Sequence, residues 1–153
     1  MMRIQKLLSG AGIAAAVFCA DQLCKAYVRK RAESLSRQNK PAVRITYAEN
    51  RGFALNLGDQ HPALVKSASL TAAAASAAAF LPAALNGSAV SAAGISLILG
   101  GGLSNTYDRI VRGSVTDYIG IGKVVYNIAD FAVFAGILLC LPTEALEALK
   151  RNS

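Results

Sequence analysis

The sequence predicts an all-α integral membrane protein of four transmembrane helices, with short strands in the loop that follows the first helix. Hydrophobic residues make up 54% of the 153 residues and charged residues only 16%, whereas soluble domains are about 45–50% apolar and about 25% charged. The mean hydropathy is +0.40. The apolar residues gather into four long runs separated by polar segments, so one membrane domain accounts for the chain.

The chain is basic, with a net charge of +7 and a pI of about 9.6. A basic chain first suggests nucleic-acid binding. Here the Lys and Arg residues flank the apolar runs, and no helix-turn-helix or zinc-finger pattern occurs. Attraction to anionic lipid headgroups accounts for this charge, so we expect membrane lipids and no nucleic acid among the partners.

The first apolar run predicts a transmembrane helix over about residues 4–29. A short apolar run behind basic residues is also typical of a secretory signal peptide, and this alternative stays open. Against it, the helical pattern continues without Gly or Pro from Asp21 to Val28. Asp21 and Lys25 are four residues apart, so they can pair on one face of the helix.

A polar segment separates the first two apolar runs. Partial alternation of apolar and polar residues predicts short strands within about residues 40–58. The later runs predict helices over about residues 62–85, 89–109 and 128–149. Gly100, Gly101 and Gly102 lie in the third helix, and such small residues let membrane helices pack closely.

Polar residues also concentrate between residues 100 and 131, although apolar runs surround this segment. Ionisable side chains are costly beside hydrocarbon, so a membrane segment that keeps them indicates a functional site. On a helix, Asn105, Asp108 and Arg109 would share one face. Asp108 and Arg109 are adjacent, and we expect them to form an ion pair.

Two aspartates of this segment are candidates for acid–base chemistry. Asp117 lies in a run of β-branched and aromatic residues that predicts an extended segment. Asp130, three residues after Asn127, lies in the first turn of the last helix. On one continuous helix the two aspartates would be about 20 Å apart, but Gly120 and Gly122 allow the chain to turn back. We therefore expect the two carboxylates to meet at a membrane surface.

The Cys and His content argues against other kinds of site. The three cysteines lie in or beside apolar runs without a paired spacing, so we expect buried thiols rather than a disulfide framework. The single histidine, His61, would have to serve alone in a zinc site or a Ser-His-Asp triad. We expect no metal and no cofactor, and the carboxylates remain the best acid–base groups.

At these residues the sequence resembles the bacterial lipoprotein signal peptidases, also called signal peptidase II. The segments that carry the resemblance are DQLCK at 21–25, NRG at 50–52, GGLSNTYDR at 101–109, VTDY at 115–118 and YNIADF at 126–131. The resemblance implies one membrane peptidase domain over residues 1–153, with a small β-platform in the loop between the first two helices. It covers nearly the whole chain in order.

The resemblance implies an aspartic peptidase whose catalytic pair is Asp117 and Asp130. The sequence departs from the family pattern at Phe53, Leu55 and Thr116, and its span from Asp117 to residue 127 is shorter than in many members. The residues that the resemblance implies as supporting or substrate-binding groups are Asp21, Lys25, Asn50, Gly52, Asn105, Asp108, Arg109 and Asn127.

The implied substrates are diacylglyceryl-modified prolipoproteins, cut just before the lipidated cysteine, and the implied inhibitors are globomycin-type cyclic peptides. We expect a monomer. On the residues alone, a small four-helix proton-coupled transporter is an open alternative, because buried aspartates can bind a cation and a proton. A carrier needs its acidic residue in the middle of a helix, whereas these aspartates lie at helix ends.

The resemblance also implies a bacterial inner-membrane protein with cytoplasmic termini and an active site at the extracytoplasmic face. The distribution of charge conflicts with this orientation. Arg3, Lys6, Lys150 and Arg151 lie on the terminal side, and the other Lys and Arg residues lie on the side of the aspartates. The positive-inside rule alone would place that side in the cytoplasm. We follow the orientation implied by the motifs.

Overall fold

The computed structural model describes residues 2–36, 42–53 and 57–151. The elements follow along the chain as α1 (Met2–Lys30), α2 (Ala32–Ser36), β1 (Val43–Asn50), α3 (Pro62–Asn86), α4 (Ala89–Val111), β2 (Val115–Ile121), β3 (Val124–Tyr126) and α5 (Ile128–Arg151). Four long helices and a small antiparallel sheet therefore make up the fold, which confirms the predicted fold class.

Helix α4 is the centre of the bundle, because it packs against α1, α3 and α5. Glycines on two of its sides permit close approach. A β-carbon at Gly100 would collide with the backbone of Ala14 in α1, and one at Gly101 would collide with the backbone of Ala129 in α5. Gly102 faces open space. The glycine run thus lets α1 and α5 pack closely against two adjacent sides of α4.

The polar and apolar side chains are distributed in the reverse of a soluble protein. Large apolar residues cover the outside, where Leu8 is 66% exposed and Leu23 is 71% exposed. Charged residues occupy the interior, where Asp21, Lys25 and Asp108 are fully buried. A lipid environment accounts for this arrangement, since hydrocarbon replaces water around the apolar surface.

Within the part of the chain that the structure describes, three helical segments are long and apolar enough to cross a membrane, namely Arg3–Lys30, Pro62–Asn86 and Ala89–Val111. Ile128–Leu141, the first part of α5, is a shorter apolar helix. A span of about 20 residues crosses the hydrocarbon core. The chain is a multi-pass membrane protein.

The sheet combines two distant parts of the chain. The loop between α1 and α3 supplies β1, and the connection between α4 and α5 supplies β2 and β3, in the order β1-β2-β3 with both pairs antiparallel. The register places Ala48 opposite Asp117. Gly122 has a φ of 59°, the left-handed conformation that this β2–β3 turn requires and glycine adopts without strain. The predicted platform therefore takes only its first strand from the predicted loop.

Helix α1 runs unbroken from Met2 to Lys30 and packs against α3 and α4. A signal peptide would be removed from the mature fold, whereas this helix carries buried charges that bond to the rest of the bundle. The helix interpretation is therefore favoured over the signal-peptide alternative. One expectation for this region is wrong: Cys19 is exposed on the outer face of α1 rather than buried, because that face meets lipid and needs no protein partner.

Candidate active site

A groove of about 480 Å³ lies where the sheet meets the start of α5 and the last turns of α4. Its polar lining comes from five residues that the sequence singled out, and its apolar lining comes mainly from β3 and the outer side of α5. The polar residues are Asn50, Asn105, Arg109, Asp117 and Asp130. The structure thus brings both candidate aspartates to one groove.

Asp117 is nearly buried on β2, with 3% of its surface exposed. Its Oδ1 accepts a hydrogen bond of 2.6 Å from Asn127 Nδ2, and its Oδ2 accepts one of 3.4 Å from Asn50 Nδ2. Burial, together with the nearby Asp130 carboxylate, raises the pKa of Asp117 to about 6. A carboxyl in this setting holds its proton more tightly than an ordinary aspartate.

Asp130 lies in the first turn of α5, where it forms a capping box with Asn127. Asn127 Oδ1 accepts from the Asp130 N–H at 2.9 Å, and Asp130 Oδ2 accepts from the Asn127 N–H at 3.1 Å. Such reciprocal bonds satisfy helix N–H groups that have no partner within the helix. The same Asn127 therefore orients both aspartates, one through its side chain and one through its backbone.

Asn105 connects the pair to the interior of the bundle. Its Nδ2 donates to Asp130 Oδ1 at 2.8 Å. Its Oδ1 accepts from Lys25 Nζ at 2.8 Å and from Asn127 Nδ2 at 3.2 Å. Each polar atom of this side chain is therefore engaged, and its amide orientation is fixed by its neighbours.

Behind the groove, Lys25 forms a buried ion-pair cluster with two aspartates. Lys25 Nζ lies 2.6 Å from Asp21 Oδ2 and 3.1 Å from Asp108 Oδ2. Ser104 Oγ donates to Asp21 at 2.6 Å. All three charged side chains are fully buried, so the cluster is stable only because each charge is paired and hydrogen-bonded.

The expected ion pair between Asp108 and Arg109 is wrong. Successive residues of an α-helix point about 100° apart, so Asp108 faces α1 while Arg109 faces the loop after β1. Asp108 pairs with Lys25 and with Arg112 Nη1, which comes from the next turn of the chain. Arg109 Nη2 instead donates to the Gly52 carbonyl at 2.8 Å.

Asn50, the last residue of β1, lines the groove, and Gly52 lies in the turn that follows. Asn50 Oδ1 accepts from the Gly52 N–H at 3.0 Å, which shapes the turn, and Arg109 fixes its far side through the Gly52 carbonyl. Phe53 lines the groove. Leu55 lies outside the described residues.

The Thr116 substitution has a structural role. Its hydroxyl accepts a hydrogen bond of 3.1 Å from Arg29 Nη1, and its N–H donates to Asp108 Oδ2 at 3.3 Å. A valine could provide only the second of these bonds. The departure from the family pattern therefore adds a link between β2 and the end of α1.

Sequence reasoning missed several residues that support the site, among them Arg112, Ser104 and Tyr118. Arg112 pairs with Asp108, Ser104 bonds Asp21, and the Tyr118 hydroxyl donates to Asp21 Oδ1 at 2.9 Å. Ser104 and Tyr118 stand inside the quoted motifs, which was the available signal. Arg112 follows Asp108 at i+4, a spacing that favours ion pairs on a helix.

Among the residues that the structure describes, no group of three or more His, Cys, Asp or Glu side chains could hold a metal ion. The groove instead offers two carboxylates, two amides and one guanidinium. These groups can exchange protons and donate hydrogen bonds to a peptide.

The fold and the groove define a class: a multi-pass membrane protein with two linked carboxylates at one end of its helix bundle. Comparison with known proteins narrows this class. The family model described as Signal peptidase (SPase) II matches residues 13–145. The chain belongs to the signal peptidase II family.

Individual relatives agree with this assignment. A lipoprotein signal peptidase from Methylobacterium sp. (strain 4-46) is 33% identical over 146 residues, which are 88% of this chain and 87% of that protein. One from Caldicellulosiruptor bescii is 51% identical over a shorter stretch of 45 residues, 29% of this chain and 30% of that protein. A bacterial membrane enzyme solved by the in meso method at 2.3 Å is 25% identical, with a TM-score of 0.76 over 95% of this chain and 90% of that one.

Proposed function

We propose that this protein is an aspartic endopeptidase that removes the signal peptide from diacylglyceryl-modified prolipoproteins by cutting just before the lipidated cysteine. Family membership supports the peptidase activity. One observation carries the aspartic mechanism: Asn127 bonds both Asp117 and Asp130 at the floor of one groove. Two neighbouring carboxylates share a proton more readily than both ionise.

The two aspartates take different roles in this mechanism. Both oxygens of Asp130 accept N–H donors, from Asn105 and from Asn127, which suits the ionised member of the pair. Asp117 has the weaker second bond, 3.4 Å from Asn50, and burial raises its pKa, so we take it as the protonated member. We assign Asp130 as the general base and Asp117 as the general acid.

The reaction follows from these roles. Asp130 takes a proton from water while the water oxygen bonds to the scissile carbonyl carbon. Asp117 gives its proton to the carbonyl oxygen, so a neutral diol forms. Asp130 then passes its proton to the leaving nitrogen as the C–N bond breaks, and one diol hydroxyl returns a proton to Asp117. The products are the signal peptide acid and the amine of the lipidated cysteine, and both aspartates regain their starting states.

The groove suits a substrate that stays in the bilayer. Its apolar wall includes Val133, Phe134 and Ile137 of α5. Phe134 is 62% exposed and Ile137 is 44% exposed, so this wall is continuous with the lipid-facing surface. A signal helix and diacylglyceryl chains can therefore approach from the membrane. Arg109 and Asn50 at the polar rim are placed to donate to the peptide backbone.

The transporter alternative has no support from the comparisons. It also needs an acidic residue at mid-helix. Asp117 lies on a strand, and Asp130 lies in the first turn of α5. The aspartates in α1 and α4 are paired with Lys25. A surface enzyme fits these positions better.

The proposed reaction is tested with purified protein in lipid nanodiscs and a synthetic diacylglyceryl prolipoprotein in H₂¹⁸O. Mass spectrometry should find one ¹⁸O in the carboxylate of the signal peptide, and a diacylglyceryl-cysteine at the new N-terminus. The same peptide with an unmodified cysteine is the control and should be cut much more slowly. Cleavage at another bond, or equal cleavage of the control, contradicts the proposed specificity.

We further propose an inner-membrane location with the groove on the extracytoplasmic side, a monomeric protein, and inhibition by globomycin-type peptides that bind between the two aspartates. Lys123, exposed in the β2–β3 turn, reports the groove side. Asn86, exposed at the end of α3, reports the other side, which it shares with Lys6 because Lys6 Nζ donates to the Gly87 carbonyl at 3.1 Å.

Single cysteines at these positions test the orientation. In a variant without native cysteines, Lys123→Cys should react with a membrane-impermeant maleimide in intact spheroplasts, and Asn86→Cys should react only after lysis. The reverse pattern would support the orientation given by the positive-inside count.

A further inference from the structure

Tyr118 follows Asp117 directly on β2, and its side chain points to the other face of the sheet. Successive strand residues alternate between faces, so Asp117 faces the groove while Tyr118 faces the helices behind it. Tyr118 is 3% exposed. Its ring is therefore fixed by packing, and only its hydroxyl meets polar partners.

The hydroxyl makes two hydrogen bonds to two different helices. It donates to Asp21 Oδ1 of α1 at 2.9 Å and accepts from the Ile128 N–H of α5 at 3.1 Å. Burial raises the pKa of this phenol above its usual range, so it stays protonated and keeps both roles. The proposed mechanism makes no use of this group.

Both partners bear on the aspartate pair. Ile128 is the first residue of α5, and Asp130 lies in the same turn. Asp21 is held by Lys25 at 2.6 Å and by Ser104 at 2.6 Å, so it is a fixed point of the bundle. The hydroxyl thus ties the strand that carries one aspartate to the helix that carries the other, and anchors both to α1.

We propose that Tyr118 is a positioning residue, whose hydroxyl sets the distance between the Asp117 and Asp130 carboxylates by bonding the first turn of α5 and Asp21. The inference rests on the proposed function, since it assumes that the two aspartates act together. Tyr118 does not touch the substrate groove. It acts through the elements that it joins.

Tyr118→Phe removes the hydroxyl and keeps the ring. We expect kcat per folded enzyme to fall about 10- to 100-fold, because small displacements of reacting groups cost that much. KM should stay within about twofold, since the groove lining is unchanged. Tyr47→Phe is the matched control: it removes a hydroxyl of the same sheet that bonds Glu49 at an exposed site, and it should leave both constants unchanged.

Ile128→Pro tests the same link from the other side, and keeps the proposal testable if Tyr118→Phe folds poorly. Proline lacks the N–H that donates to Tyr118, and it is well accommodated at the first position of a helix. A helix cap residue generally has an extended backbone, the conformation that a following proline favours. Ile128→Val keeps the N–H and is the control. We expect the Pro variant to lose kcat and the Val variant to retain it.

A purely structural hydroxyl would lower the melting temperature and leave kcat of the folded enzyme within about twofold of wild type. That result for Tyr118→Phe or Ile128→Pro overturns the positioning role. Asp117→Asn and Asp130→Asn, assayed beside them, separate the two proposals. Full activity in the Asp variants would contradict the aspartic mechanism itself. Inactive Asp variants together with a fully active Tyr118→Phe protein would contradict only the positioning role of Tyr118.

Discussion

Lys25 illustrates how single residues govern this site. Its ammonium group has three donors, and three acceptors surround it: Asp21 at 2.6 Å, Asp108 at 3.1 Å and Asn105 at 2.8 Å. A buried charge with complete pairing is tolerated, whereas an unpaired one is strongly destabilising. The ion-pair cluster therefore fixes the orientation of the Asn105 side chain, and Asn105 in turn orients Asp130.

Arg112→Ala should destabilise the protein more than Arg109→Ala. Arg112 bonds the fully buried Asp108 while its own side chain is 30% exposed, and loss of a hydrogen bond to a charged group costs roughly 1–3 kcal/mol. Arg109 bonds a loop carbonyl and lines the groove, so its loss should lower activity more than stability. Thermal unfolding and cleavage assays on the same samples check this. A less stable Arg109→Ala protein would contradict it.

The pKa of Asp117 predicts how activity depends on pH. The proposed mechanism needs Asp117 protonated, and a pKa of about 6 means that the proton is lost as the pH rises through that value. We therefore expect kcat/KM to fall about tenfold per pH unit on the alkaline side. The apparent pKa belongs to the coupled pair, in which Asp117 also meets the charges of Lys25 and Arg109. A profile that stays flat up to about pH 9 would contradict the assignment of Asp117 as the acid.

At the residue scale, the sequence identified the groups but not their partners. Asp117, Asp130, Asn105 and Asn127 stood in motifs, and they do meet. The pairing of Asp108 was mistaken because adjacency along a helix does not mean contact. The motif at 115–118 contains Tyr118, but the sequence did not give its partner, because Asp21 is far away along the chain and only the fold brings the two together.

At the scale of elements, the contact between α4 and α5 positions Asp130. Gly101 lies against the carbonyl of Ala129, the residue before Asp130. Helix α5 can approach this closely only because Gly101 has no side chain. The contact between Gly101 and Ala129 therefore determines how deeply the Asp130 carboxylate lies in the groove.

Gly101→Ala should push α5 away from α4. Overpacking of this kind costs about 1–3 kcal/mol, and cleavage should fall because Asp130 moves with the helix. Gly102→Ala is the control, since a β-carbon there meets open space, and it should leave stability and cleavage unchanged or slightly improved. Melting temperature and cleavage rate are measured for both. Equal behaviour of the two variants would mean that α5 adjusts to the added methyl group without cost.

Helices were the predictable elements of this fold, and the sheet was not. Long apolar runs indicate membrane helices directly, because a helix in the bilayer makes all its backbone hydrogen bonds within its own segment. The strands pair across the chain, from residue 43 opposite residue 121 to residue 50 opposite residue 115. Local patterns can indicate an extended segment but not its partner. This is why the platform was predicted from the first loop alone.

At the scale of the whole molecule, an apolar exterior surrounds a polar interior that opens at one end. The outer residues meet lipid, the ion-pair cluster around Lys25 joins α1 to α4, and the groove opens beside α5. Under the proposed function, this arrangement would let a lipid-anchored peptide reach the two carboxylates from within the bilayer.

The most direct test replaces each aspartate of the pair separately. Asp117→Asn and Asp130→Asn keep the shape of the side chain but remove the acid or the base. We predict that each variant folds, inserts into the membrane and cleaves the diacylglyceryl prolipoprotein at less than about one-hundredth of the wild-type rate. Glu33→Gln, at an exposed carboxylate of α2, should retain the full rate. Substantial cleavage by either Asp variant would remove that residue from the mechanism and contradict the account.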